Sequence, residues 1–230
     1  MNASLLGLFS GFPAHRFPDG SAQVLGENLP RRESLVFISA WPEDFERNDD
    51  DSDGMHGMFL ERGMGFARHR VIDRRTSAAD AVRLVREADC VFLMGGDATQ
   101  QMALLRSLGL VPELLSSRAV ILGVSAGSMN MGRYVADVWE TKALCEGIGL
   151  TGFTVKGHYA EDAWFVPVLQ ELSMKHPITA MEDESAIFIR EGAVWSLGKI
   201  HWMDKGGTTV LTDEMLKASG NTLWDGACGE

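Results

Sequence analysis

Short apolar runs alternate along the chain with longer segments in which apolar residues recur every three or four positions. The runs are apolar on both faces, as is typical of central strands in a parallel sheet, and the longer segments have the period of amphipathic helices. This alternation predicts an α/β fold with a mostly parallel central sheet and helices on both faces. The predicted strands of this part are 34–40, 66–73, 89–94 and 119–124, and the predicted helices are 77–88 and 98–108.

The pattern changes after residue 185, where short strands follow one another at close spacing and are joined by glycine turns. We expect the segments 186–190, 193–197 and 199–203 to form antiparallel edge strands. A length of 230 residues without an internal repeat then fits one α/β hydrolytic domain that spans 1–230.

Composition and charge narrow the possible partners. The chain is 45% hydrophobic and 23% charged, and 32 Asp and Glu against 21 Lys and Arg give a net charge of −11, which disfavours nucleic acids and anionic membrane surfaces. No run of apolar residues is long enough to span a membrane, and the N-terminus lacks the basic region of a signal peptide. The cysteines Cys90, Cys145 and Cys228 are odd in number and widely spaced, so we expect a reducing cytoplasm and neither disulfides nor a zinc site.

The segment Gly123-Val124-Ser125-Ala126-Gly127 directly follows a buried strand and precedes a helix. It has the form of a nucleophile elbow, in which small neighbours let the chain turn sharply enough to raise the serine hydroxyl above the sheet. The N–H of Ala126 would then point to the place where a tetrahedral oxyanion forms. A turn that merely joins a strand to a helix is the alternative interpretation.

Gly95 and Gly96 close the preceding strand in the same way. If the two strands are neighbours, the N–H of Gly96 could complete an oxyanion hole, because ligands of open α/β sheets bind at the carboxyl ends of the strands. Asp97 would in either case be able to cap the helix that follows.

A serine nucleophile needs a base, usually a histidine that a carboxylate orients. We favour His158, which follows a short apolar stretch and could return to the top of the sheet. His201 lies in an alternating strand, and the other four histidines lie in polar surroundings. For the orienting acid, Glu140 and Asp137 both remain open, since each lies beyond the helix that follows Ser125.

These motifs together resemble the dipeptidase E and cyanophycinase family of serine peptidases, whose fold is similar to that of class I glutamine amidotransferases. The family has a Gly-Gly-Asn turn, a Gly-x-Ser-Ala-Gly elbow, an acid and a histidine, and this chain has comparable residues in the same order over about 34–200. The resemblance implies Ser125 as nucleophile, His158 as general base, Glu140 as orienting acid, and the N–H groups of Gly96 and Ala126 as the oxyanion hole. It also implies a monomer or small homo-oligomer that needs no metal or organic cofactor.

The chain departs from the family at positions that concern the substrate. Asp97 replaces the usual asparagine, and no arginine lies between His158 and Arg190 to bind the carboxylate of an N-terminal aspartate. We therefore expect a small peptide or amide substrate without aspartyl specificity. The residues that we expect to contribute to substrate binding are Asp97, Tyr159, Trp139 and Trp164.

Two other functions fit parts of the sequence. An esterase of the α/β-hydrolase type shares the elbow and places its histidine near the C-terminus, which would favour His201. A non-catalytic protein that binds a small ligand is the second alternative, because the charge of Asp97 would oppose a nearby oxyanion.

The acidic run 49–53 resembles the first half of a calcium-binding loop, but the ligand of the second half is out of register. We interpret the run as a solvated acidic loop that could gate entry to the active site.

Overall fold

The computed structural model describes residues 3–216, and over the first half of the chain these alternate between strands and helices as predicted. The strands here are β1 (Leu5–Phe9), β2 (Ser34–Ile38), β3 (Arg68–Ile72), β4 (Cys90–Leu93) and β5 (Val120–Val124). The helices are α1 (Asp19–Asn28), α2 (Phe45–Glu61), α3 (Ala78–Glu87), α4 (Ala98–Ser107), α5 (Leu110–Ser116) and α6 (Ala126–Met131).

The second half of the chain is dominated by short strands. They are β6 (Tyr134–Asp137), β7 (Ala143–Glu146), β8 (Val155–Lys156), β9 (Ile178–Met181), β10 (Ala186–Arg190), β11 (Ala193–Leu197), β12 (Ile200–Asp204) and β13 (Gly207–Val210), with helix α7 (Val166–Ser173) between β8 and β9.

Seven strands form the main sheet in the order β11-β10-β1-β5-β4-β2-β3. The five strands from β1 to β3 in this order are parallel, and β10 and β11 are antiparallel to their neighbours. Apolar clusters cover both faces of the sheet, which explains why β5 and β4 are apolar on both sides. The predicted α/β class and the mostly parallel sheet are therefore confirmed.

The strand β1 was not predicted, although it lies in the middle of the main sheet between β5 and β10. All five of its residues are buried, so its sequence has no alternation of apolar and polar positions that would distinguish a strand from an isolated apolar patch. The segment 199–203 was predicted as an edge strand of the main sheet, but β12 belongs to a second sheet with the order β13-β12-β9-β8.

The prediction of an acidic loop at 49–53 was wrong, because these residues lie within helix α2. Asp44 caps the helix by accepting a hydrogen bond from the N–H of Arg47 at 3.3 Å. Asn48, Ser52 and Phe59 are buried on one side of the helix, and the acids occupy the other sides. The cap at Asp44 and the buried residues on both sides of the acidic run thus stabilise the helix.

Within residues 3–216, no helix is both long enough and apolar enough to cross a membrane. Cys90 is a buried free thiol and Cys145 is an exposed one, while Cys228 lies outside the described residues.

Candidate active site

Ser125 lies between the end of β5 and the start of α6 and has φ 51° and ψ −113°, a conformation that few residues other than glycine adopt. Its N–H donates to the carbonyl of Phe9 at 2.9 Å, and its own carbonyl accepts from the N–H of Met129 at 3.0 Å. A Cβ on Gly127 would collide with the carbonyl of Leu93, and one on Gly123 would lie 2.7 Å from the backbone of Gly127. The small residues are therefore required by the close approach of the backbone, as in a strand–turn–helix elbow.

The glycine turn after β4 lies beside this elbow, because β4 and β5 are parallel neighbours. A Cβ on Gly95 would lie 3.6 Å from the Cβ of Ser125. Gly96 has φ +138°, and a Cβ there would collide with the indole of Trp41. Within residues 3–216, neither the N–H of Gly96 nor that of Ala126 donates to a protein acceptor. Both N–H groups thus lack a protein acceptor in this part of the chain.

Asp97 caps helix α4. Its Oδ1 accepts from the N–H of Gln100 at 2.9 Å, and its Oδ2 accepts from the side-chain amide of the same residue at 3.1 Å. Because these two bonds engage the carboxylate with the helix, Asp97 acts in the structure as the helix cap that its position predicts.

His158 follows β8 and is brought to the elbow by its neighbour Gly157. A Cβ on Gly157 would lie 3.4 Å from the Cα of Ser125. His158 has φ 55°, its N–H donates to the Oγ of Ser10 at 2.8 Å, and its Nδ1 lies 2.7 Å from Oδ1 of Asp183. A ring held at Nδ1 by a carboxylate has its Nε2 free to act as an acceptor.

The carboxylate at His158 is Asp183, whereas the predicted acid Glu140 is an exposed residue in the turn between β6 and β7. The prediction placed Glu140 beyond the helix that follows Ser125, and it does lie there, but α6 ends at Met131 and β6 carries the chain into the exposed turn that holds Glu140. Asp183 was missed because it lies 25 positions after the histidine. Its signal was an acid two positions after the run 178–181, which forms β9 beside β8.

The other candidate, Asp137, is engaged within its own turn. It accepts hydrogen bonds from the N–H groups of Trp139, Glu140 and Thr141 and from the hydroxyl of Thr141. Partial burial alone would raise the pKa of Asp137, but these bonds outweigh it and the pKa lies below its usual value. Asp137 therefore stabilises the β6–β7 turn.

His201, the base expected for an esterase, is buried in β12. Its Nε2 lies 2.8 Å from Oε1 of Glu182, and its ring centroid lies 4.6 Å from that of Tyr159. Hydrogen bonds from Lys199 and His201 lower the pKa of Glu182. Among the described residues, His201 makes no hydrogen bond to Ser125.

The residues expected to bind substrate divide into two groups. Tyr159 is 5% exposed and packs in an apolar cluster with Phe165. Trp139 and Trp164 are 71% and 54% exposed, and their ring centroids are 4.5 Å apart. The structure thus brings the two tryptophans together at the surface and places Tyr159 in the interior.

Metal ligands require several donor side chains in one place. Within the part of the chain that the structure describes, no group of three or more His, Cys, Asp or Glu side chains could hold a metal ion.

Comparisons with known proteins agree on family and fold. A model of peptidase family S51 matches residues 53–197. The fold is similar to that of a peptidase from an acI-B1 Actinobacterium, with a TM-score of 0.70, 18% identity and coverage of 91% of this chain and 94% of that one. It is also similar to a candidate peptidase E protein from Listeria monocytogenes EGD-e, with a TM-score of 0.63, 19% identity and coverage of 84% and 98%. No curated protein matches the chain.

Proposed function

The chain belongs to peptidase family S51 and is therefore a peptidase, and we propose that it cleaves a small peptide or amide through an acyl-enzyme on Ser125. The observation that carries this proposal is the contact between two turns: the strained elbow of Ser125 packs against Gly157, and the next residue, His158, is bound to Asp183. A serine hydrolase needs a nucleophile beside a base that an acid orients.

In the proposed mechanism, the Oγ of Ser125 attacks the carbonyl carbon of the substrate while Nε2 of His158 accepts the hydroxyl proton. The carbonyl oxygen becomes an oxyanion, to which the N–H groups of Gly96 and Ala126 donate. The imidazolium then protonates the leaving amine and the C–N bond breaks. Water hydrolyses the ester by the same steps, with His158 again as base, and Asp183 orients the ring throughout.

The substrate is proposed to lack an N-terminal aspartate. No arginine lies between His158 and Arg190, and the charged residues that directly follow His158 are the acids Glu161 and Asp162. A desolvated carboxylate requires a cationic partner. The exposed pair of Trp139 and Trp164 is the apolar surface that we propose for contact with the substrate.

Labelling with a broad fluorophosphonate, followed by intact-mass analysis, tests the mechanism. We expect one label per wild-type chain and none on Ser125→Ala, and we expect labelling of His158→Ala and Asp183→Asn to be slower by roughly 10³-fold or more. Glu140→Gln and His201→Gln are the matched controls, and both should be labelled at the wild-type rate.

Two outcomes would contradict the proposal. Labelling that survives in His158→Ala but is lost in His201→Gln would favour the esterase. An unlabelled wild-type chain that is folded and does not cleave a dipeptide library would favour a protein that only binds its ligand. If the labelling rate falls in Glu140→Gln but not in Asp183→Asn, the acid assignment alone is wrong.

A further inference from the structure

Lys156 is a buried lysine that the proposed mechanism does not use. It is the last residue of β8, is 7% exposed and lies two positions before His158. Its Nζ donates to the carbonyl of Gly157 at 2.8 Å and lies 4.3 Å from the ring centroid of Phe165. Among the described residues, no carboxylate forms a salt bridge with it. A buried ammonium thus stands beside the proposed active site with one hydrogen-bond acceptor.

Such an arrangement is costly for the fold. Transfer of an ammonium out of water is unfavourable by several kcal/mol unless close partners compensate, and one carbonyl and one aromatic ring compensate only in part. Burial lowers the pKa of Lys156 to about 8, and the attraction of Asp183 acts in the opposite direction. An apolar residue would fill this position at lower cost, so the charge itself requires an explanation.

The ionisable groups around Lys156 come from three segments. Lys156, Ala180 and His201 are in register across β8, β9 and β12. His201 is bonded to Glu182, which also binds Lys199. The segment after β9 provides Asp183, and the segment after β8 provides His158. Asp183 is the charged neighbour whose attraction raises the pKa of Lys156. Lys156 therefore lies among the groups of the proposed site.

We propose that Lys156 is a positioning residue for the catalytic pair: its ammonium donates to the Gly157 carbonyl and so holds the chain directly before the strained His158. This inference rests on the proposed function. Gly157 contacts the elbow of Ser125 and directly precedes His158, so the hydrogen bond from Lys156 acts at the contact between the turns of the base and the nucleophile.

The proposed role requires a hydrogen-bond donor at this position. Methionine fills a similar space without a donor, whereas arginine keeps both the donor and the charge. A residue that only fills space would tolerate the change to methionine.

The test is the rate of fluorophosphonate labelling in the wild type, Lys156→Met and Lys156→Arg. We expect the rate to fall by roughly 10-fold or more in Lys156→Met and to recover most of the wild-type value in Lys156→Arg, because arginine restores the donor. Lys199→Met is the matched control, because it removes an exposed lysine that binds Glu182 instead, and it should be labelled at the wild-type rate.

The loss of labelling must occur in a folded chain. Removal of a buried ammonium should not destabilise the fold at pH 7, so Lys156→Met should unfold at a urea concentration no lower than the wild type does.

Equal labelling rates of the wild type and a folded Lys156→Met, or a rate in Lys156→Arg that stays as low as in Lys156→Met, would overturn the role of Lys156. A wild-type chain that is not labelled at all would overturn the proposed function instead, so the two failures are distinguishable.

Discussion

Ser125 and His158 both have positive φ angles, 51° and 55°, and both are held in place by close contacts of the backbone. Strain of this kind persists only where the surrounding structure determines the conformation. Two glycines fix the conformation here. Gly157 contacts Ser125, and Gly11 lies against His158 and Asp183. The geometry of the site therefore depends on positions that have no side chain.

Gly11→Ala should inactivate the enzyme without unfolding it. A Cβ on Gly11 would lie 2.5 Å from Oδ1 of Asp183 and 2.6 Å from Cε1 of His158, so the pair must move apart. We expect the labelling rate to fall by roughly 10²-fold or more, because small displacements of catalytic groups are costly. Gly26→Ala is the control, since its Cβ would meet only the sulfur of Met64 at 3.9 Å. Wild-type labelling of Gly11→Ala would show that the pair is not required.

At this scale the sequence indicated the serine, the histidine and the two glycine turns because each stands in a local motif. The acid could not be found in that way. Asp183 meets His158 through the parallel pairing of β8 and β9, whose two strands are separated by helix α7. Glu140 is closer in sequence to Ser125, but nearness along the chain says little about contact across a sheet.

At the scale of elements, the nucleophile elbow depends on helix α6, which has only six residues and little helical stability of its own. Its anchor is the buried hydroxyl of Ser128. The Oγ accepts from the N–H of Phe9 at 2.9 Å and lies 2.8 Å from the carbonyl of Phe9 and 2.6 Å from that of Gly123. One side chain thus ties α6 to both β1 and β5.

Ser128→Ala should lower the free energy of unfolding by about 1–3 kcal/mol, because it leaves a buried backbone N–H without a partner. Urea denaturation monitored by fluorescence measures this change. Ser116→Ala is the matched control: its hydroxyl also bonds to backbone carbonyls, but on the exposed surface of α5, and its effect should stay within about 0.5 kcal/mol. Equal stability of the two variants would show that α6 is held by apolar packing alone.

Helix α6 and strand β1 also show where prediction of elements from the sequence ends. The turn at 123–127 indicated a helix start, but the helix is anchored by a hydrogen bond to β1, which lies over a hundred positions earlier in the chain. β1 itself is buried on all sides and has no period to detect. Partners that are distant along the chain decide both features.

At the scale of the whole molecule, the candidate site lies where two sheets meet. The main sheet provides Ser125 and the glycine turn after β4, and the second sheet provides Lys156, His158 and Asp183 through β8 and β9. The sequence predicted the first sheet and assigned β12 to its edge, so the second sheet was not foreseen. Its strands β8 and β9 have two and four residues, too few for a pattern to be recognised.

The buried ammonium of Lys156 should make the stability of the molecule depend on pH in one direction. In the unfolded chain its pKa is near the usual 10.5, whereas in the folded protein it is about 8, so the unfolded state holds the proton more tightly between these values. Stability from this group therefore rises with pH over that window.

Lys156→Met removes the dependence. We expect this variant to be more stable than the wild type at pH 7 and its advantage to shrink by roughly 2 kcal/mol by pH 10, as the wild-type lysine loses its charge. Urea denaturation at the two pH values measures the difference, in which the other titrating groups cancel. Lys199 is exposed, and its hydrogen bond to Glu182 raises its pKa. Lys199→Met should therefore have no stability advantage at pH 7 that shrinks by pH 10. An equal stability advantage of Lys156→Met at both pH values would show that the Lys156 ammonium is solvated in the folded protein. Its burial would then not lower the free energy of unfolding.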